Sequence, residues 1–146
     1  MAREIKFRGF SRNKNGKTTI IIDGKKVKGD WVYGDLVNSK ISVFKPTNKF
    51  VVIIESSFMN GGFFAAARKY LAFKSTVGQF TGLHDKNGKE IYEGDVVRIG
   101  LSEHPIVGDV YYDDLQFRVK NDSMLRFFHK KNSEIIEIIG NIHTQS

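Results

Sequence analysis

The chain has no cysteine, only two prolines and a single tryptophan among its 146 residues. Without thiols there can be no disulfide framework, thiolate metal centre or cysteine nucleophile, and a reducing cytoplasm is the simplest compartment. No apolar run approaches the ~20 residues that a membrane-spanning helix needs. The N-terminal Met1-Ala-Arg-Glu-Ile-Lys-Phe-Arg8 alternates charge with apolar residues, so neither a membrane anchor nor a signal peptide is expected. Scarce proline and the lack of a Ser/Pro-rich tract leave no obvious linker. A chain of this length suits one domain, or two small ones sharing a core, and can bury about two-thirds of its unfolded surface without staples.

What the chain does have is positive charge, placed unevenly. The formal net charge is +7, and residues 1–50 hold 12 Lys/Arg against 4 Asp/Glu. The remainder of the chain is close to neutral, so the excess belongs to the first third. A localised basic face suits a polyanion such as DNA or RNA. The plainer reading is lysines dispersed on hairpin tips for solubility, and the lack of any block of five like charges favours it.

Turn chemistry recurs at short intervals. Asn15-Gly16, Asp23-Gly24, Asn60-Gly61 and Asn87-Gly88 each offer the positive φ values of a type I′ hairpin turn. Strand-like runs lie between them. Glu4–Phe10 alternates, with Ile5 and Phe7 on one face and Lys6 and Arg8 on the other. Thr18–Asp23 is β-branched, and Asp30–Val37 sets Trp31, Tyr33 and Asp35 opposite Val32, Gly34 and Leu36. Short strands are also expected at Ile41–Phe44 and Phe50–Ile54, separated by a turn over Pro46–Lys49. Phe63–Phe73 contains the best helix formers in the chain and no breaker, and predicts a short helix, with an irregular loop at Gly61-Gly62 leading into a strand at Tyr70–Phe73 as the alternative. From Gly78 onward the pattern is β, with strands at Gly78–Thr81, Lys89–Tyr92, Asp95–Ile99, Ile106–Tyr112, Phe117–Lys120 and Ile135–Ile142. Short strands closed by glycine turns argue for a small barrel, with Lys74–Thr76 as the one candidate boundary.

Several constellations imitate functional sites. Gly16-Lys17-Thr18 resembles the end of a phosphate-binding loop, but the glycine five residues earlier is replaced by Ser11 and a strand follows, so a hairpin is preferred. Asp85-Lys-Asn-Gly-Lys-Glu90 imitates a calcium loop with glycine at the wrong place, so Asp85 is expected to accept a backbone hydrogen bond two residues on. His84, His104, His129 and His143 are too scattered for a helical zinc pair. Glu90, Glu93 and Asp95, with Asp113 and Asp114, could supply paired carboxylates for acid/base or Mg²⁺ chemistry. Glu93-Gly94-Asp95 reads more readily as the tight corner leading into Asp95–Ile99. No Gly-x-Ser-x-Gly elbow is present. The most suggestive cluster is Lys25, Lys26 and Lys28 before Trp31 and Tyr33, since aromatics beside lysines suit stacking on nucleic-acid bases. Core or subunit-interface packing is the commoner use of such aromatics.

Three motifs together resemble the YopX family of phage and prophage proteins. They are Arg3-Glu-Ile-Lys-Phe-Arg8, Trp31-Val-Tyr-Gly-Asp-Leu36, and the long run Thr76–Val97 followed by Gly108-Asp-Val-Tyr-Tyr112 and Ile139-Gly-Asn-Ile142. The chain departs from the family pattern at Ser57–Lys74, which looks like an enlarged connection. The resemblance implies a mainly β fold with a small SH3-like β-barrel in the C-terminal half (76–146). An N-terminal β-hairpin region (1–75) would pack on it, with at most one short helix, and the two could count as one domain. It also implies an origin in a virus of Gram-positive bacteria or a prophage, and hence the host bacterial cytoplasm. The family brings no catalytic residue to carry over. The expectation is a non-enzymatic accessory protein without cofactor or metal, self-associating, that binds DNA or RNA through Lys25, Lys26, Lys28, Lys49 and Trp31. The alternatives are a module that binds a host or phage protein by β-augmentation along Val51–Ile54 or Ile135–Ile139, and a small Mg²⁺-dependent hydrolase or nuclease.

Overall fold

The computed structural model describes residues 5–37, 50–58, 64–100, 105–113, 116–120, 125–127 and 134–144. The chain is mainly β: twelve strands and a 3₁₀ turn at Lys74–Thr76 are found among the described residues. These residues fall into two compact units, Ile5–Gly78 and the chain from Gln79 onward.

The first unit contains β1 (Phe7–Ser11), β2 (Thr18–Ile22), β3 (Lys25–Val37), β4 (Phe50–Phe58) and β5 (Phe64–Phe73). The predicted helix over Phe63–Phe73 is instead β5, paired with β4 from Phe50↔Phe73 to Phe58↔Phe64. Tyr70 and Ala72 are buried while Arg68 and Lys69 are exposed. The alanines favour helix by only a few tenths of a kcal/mol each. A long antiparallel ladder with apolar burial outweighs that preference, and the alternative strand at Tyr70–Phe73 is the C-terminal end of β5. The expected strand Ile41–Phe44 and the turns at Pro46–Lys49 and Asn60-Gly61 lie outside the described residues.

Strand β3 organises this unit because it takes three partners in succession. Lys25–Gly29 pairs with β2, Asp30–Gly34 with β1, and Asp35–Val37 with β4. The β1–β3, β3–β4 and β4–β5 ladders return on themselves through the bridge Ser11↔Ala72 between β1 and β5. Val32, Ile53, Tyr70 and Ala72 form one core cluster. Phe10, Ile20, Ile22 and Val27, with Trp31 and Phe73 against them, form another. Neighbouring residues on a strand point to opposite faces, so Trp31 serves one cluster and Val32 the other. Strand β1 is likewise buried on both faces: even Arg8, expected to face solvent, is buried, with its guanidinium 4.7 Å from the centre of the Trp31 ring. Each fully buried large apolar side chain contributes roughly 1.5–3 kcal/mol.

From Gln79 onward the second unit contains the rest of β6 (Gly78–His84) and β7 (Glu90–Tyr92), which pair with each other. Strands β8 (Asp95–Ile99), β9 (Ile106–Asp113), β10 (Gln116–Lys120), β11 (Leu125–Phe127) and β12 (Ile136–Asn141) form a sheet in the order β11-β10-β9-β8-β12. Ile91, Val97, Ile99, Val110, Val119 and Ile136 are its core. The Asn87-Gly88 turn differs from the predicted type I′ form. Only Gly88 has positive φ, and Gly88 N–H donates to the Asp85 carbonyl. Asp85 holds the corner: one carboxylate oxygen accepts from Asn87 N at 2.8 Å and Lys89 N at 3.0 Å, the other from Ile138 N at 3.2 Å on β12. Lys86 N–H also donates to the Ile136 carbonyl. Burial alone would raise the Asp85 pKa, but these backbone donors and the charge of Lys89 outweigh it, leaving the carboxyl below its usual range.

Two expectations follow for stability. A Cβ at Gly9 would lie 2.7 Å from Ala72 Cβ and 2.8 Å from Ile53 Cδ1. Gly9→Val should therefore destabilise the first unit by about 1–3 kcal/mol in urea unfolding, and an unchanged midpoint would contradict the packing described. Because the folded-state pKa of Asp85 is lowered, its contribution is complete above the ordinary carboxylate value of ~3.9 and fades as pH falls through the lower folded value. Asp85→Asn should cost about 1.5–3 kcal/mol at pH 7 and flatten the acid limb of the stability profile, measured by thermal melts between pH 2 and 7.

Candidate nucleic-acid interface

The basic residues of the first unit are displayed by the β2–β3 hairpin. Asp23-Gly24 closes it with φ values of 51° and 75°, the paired positive angles of a type I′ turn. Ile20, Ile22 and Val27 point into the core, leaving Thr19, Ile21, Lys26 and Lys28 on the outer face. Thr19 pairs with Lys28 and Ile21 with Lys26, so the two lysines stand side by side along one face of β3. The chain just before β2 runs flush against β3. A Cβ at Gly16 would sit 2.4 Å from both Asp30 Cβ and the Gly29 carbonyl oxygen. Asn15-Gly16 is thus not the predicted hairpin turn, and its glycine is needed for close approach instead. Asp30 fixes this crossing by accepting hydrogen bonds from Trp31 N (2.8 Å) and Thr18 Oγ1 (3.4 Å).

This crossing leaves an open groove of about 510 Å³ lined by Arg12, Lys14, Asn15, Gly16, Lys17, Lys28 and Gly29. Four cations and no carboxylate line it. Lys14 is partly engaged, donating to the Trp31 carbonyl at 3.4 Å and lying 3.9 Å from Glu55. Arg12, Lys17 and Lys28 are exposed. Such a groove attracts the phosphates of a polyanion through charge and donor geometry.

Of the residues expected at the interface, Lys28 lines the groove and Lys26 continues the same face. Lys25 is exposed at the hairpin corner, and Lys49 lies outside the described residues. Trp31 is half-buried, edge-on to Phe10 at 5.4 Å, with Arg8 across its ring. Arg12, Lys14 and Lys17 were missed. Their signal was three cations within six residues, Arg12-Asn-Lys-Asn-Gly-Lys17, beside a glycine.

The rival constellations are occupied structurally. Glu93 Oε1 accepts from Gln79 N at 3.0 Å and Asp95 Oδ2 from Tyr92 N at 2.9 Å, while Gly94 donates to the Val110 carbonyl and accepts from Ile142. Glu90 lies 3.4 Å from the Tyr92 hydroxyl. Asp114, His104 and His129 fall outside the described residues. His84 sits edge-on to Phe80 and His143 is half-buried. No group of three or more His, Asp or Glu suited to a metal ion occurs among the described residues. Thr18 opens β2 rather than a helix. The strands named for β-augmentation are engaged on both sides. Val52–Ile54 of β4 pairs with β3 and β5, and β12 pairs with β8 while Asp85 and Lys86 bond its other edge.

No helix among the described residues is long and apolar enough to cross a membrane. None of the curated proteins matches the chain. The crystal structure of protein EF1440 from Enterococcus faecalis aligns with 97% of this chain and 95% of its own, at 18% identity and a TM-score of 0.48. The family model described as YopX protein matches residues 6–146, and the chain therefore belongs to the YopX family.

Proposed function

We propose that this chain is a phage or prophage accessory protein of the host bacterial cytoplasm that acts by binding nucleic acid, with no reaction of its own. The observation that carries the reading is the groove beside the β2–β3 hairpin, where Arg12, Lys14, Lys17 and Lys28 converge without an acidic neighbour in the lining. Lys26 extends the contact along β3, and Lys25 adds charge at its corner. Two of the carboxylates that a hydrolase would need, Glu93 and Asp95, accept hydrogen bonds from backbone N–H groups, which supports binding over catalysis. In the second unit, the antiparallel order β11-β10-β9-β8-β12 supports the SH3-like barrel as its architecture.

Strand addition has weaker support, because the apolar strands suited to it are already paired. The edge strand β2 is an alternative template, but pairing it with a second copy would crowd Lys17, Lys26 and Lys28 of both molecules together. Self-association belongs to the proposal through another surface, which light scattering tests. Exposed Val107, Ile139 and Ile142 of the second unit are the apolar side chains it could use.

Phosphate-driven binding has a measurable signature. Affinity for a labelled oligonucleotide should fall steeply between 50 and 200 mM salt. The paired change Lys17→Gln and Lys28→Gln should weaken binding at least tenfold and reduce the log–log salt slope by about two. A flat titration, or a double variant that binds like the parent chain, would contradict the assignment.

A further inference from the structure

The basic groove does not stand alone. Arg12, which lines it, also places its guanidinium 5.4 Å from the centre of the Phe73 ring. Phe73 packs in turn on Phe50, with ring centres 4.8 Å apart and planes tilted by 43°. The register Phe50↔Phe73 puts both rings on the same side of the β4–β5 ladder. Phe73 is half-buried against the Phe10 cluster, but Phe50 is 38% exposed. One side chain thus joins a cationic groove to an aromatic step whose outer ring is partly exposed. Trp31, by contrast, has Arg8 across its ring and Phe10 at its edge, so it is poorly placed to receive a base.

Duplex DNA buries its base faces and would meet only the cations. A single strand offers phosphates to the groove and an unstacked base to the ring, the combination that sequence-tolerant single-strand binders use. Resting on the nucleic-acid reading above, we infer that the ligand is single-stranded nucleic acid, its backbone along Lys17 and Lys28 and a base stacked on Phe50. The groove is too short for more than a few nucleotides, so sequence preference is expected to be weak.

Fluorescence anisotropy with a labelled oligo-dT and a duplex of equal length tests this, using the full chain and the variants Phe50→Leu and Phe50→Tyr. The single strand should bind at least tenfold tighter than the duplex at the same salt. Phe50→Leu should lose roughly 5- to 100-fold on the single strand, the range for removing one stacked base, and leave duplex binding unchanged. Phe50→Tyr keeps the ring and should bind as the parent does. The unchanged duplex affinity of Phe50→Leu, with that of Phe50→Tyr, shows that the fold is intact. Equal affinity for the two forms, or a Phe50→Leu protein that binds oligo-dT like the parent, overturns the single-strand assignment but leaves a phosphate-binding groove. Binding of neither form overturns both readings.

Discussion

The first unit depends on one strand approaching its neighbours more closely than side chains would allow. At Gly29 a Cβ would lie 2.1 Å from the Ser11 carbonyl oxygen, and at Gly34 2.0 Å from that of Ile54. Both overlaps are with backbone, which cannot rotate away. These two glycines sit where β3 passes from β2 to β1 and from β1 to β4. They let a strand of thirteen residues serve three ladders and two core clusters without breaking. The groove is a by-product of the first of these passages. The chain between β1 and β2 must fold back over Gly29, and its cations are carried there with it.

The second unit solves a different problem, that of holding a short hairpin and an edge strand. Its carboxylates do this by acting as acceptors for backbone N–H groups that no ladder reaches. Asp85 reaches 53 residues along the chain to Ile138, closing the free side of β12 where another chain could otherwise pair. Glu93-Gly94-Asp95 links the start of β8 to Gln79, Val110 and Ile142. An acidic motif that looks catalytic in one dimension therefore does architectural work in three. At Asp85, by contrast, several backbone N–H donors and the charge of Lys89 outweigh burial and hold the carboxyl below its usual range.

Much of this fold could be read from the residues because period-two alternation and glycine corners are local signals. The strands at Thr18–Ile22, Asp95–Ile99 and Ile106–Asp113 lie close to where alternation and β-branching put them, and the Asp23-Gly24 corner has the predicted geometry. Asp85 accepts from the backbone two residues on, as its turn chemistry implies. Apart from the Asn87-Gly88 turn, which Asp85 holds locally, the failures share one cause, since each depended on a partner distant in sequence. Phe64–Phe73 is a strand because β4 is there to pair with it. Asn15-Gly16 is a crossing because Asp30 lies beneath it, and Arg8 is buried because Trp31 receives it. The cationic groove was half legible. The lysines of β3 were found from their clustering, but Arg12 and Lys17 join Lys28 only through the fold-back before β2.

The position of Trp31 has a practical consequence. It is the chain's one indole, packed edge-on to Phe10 beneath Arg8, and it belongs wholly to the first unit. Its emission is therefore an intrinsic optical reporter for that unit alone. Tyrosine emission has no such selectivity, since Tyr33 and Tyr70 lie in the first unit and Tyr92, Tyr111 and Tyr112 in the second, so selective excitation of the indole follows the first unit without any label.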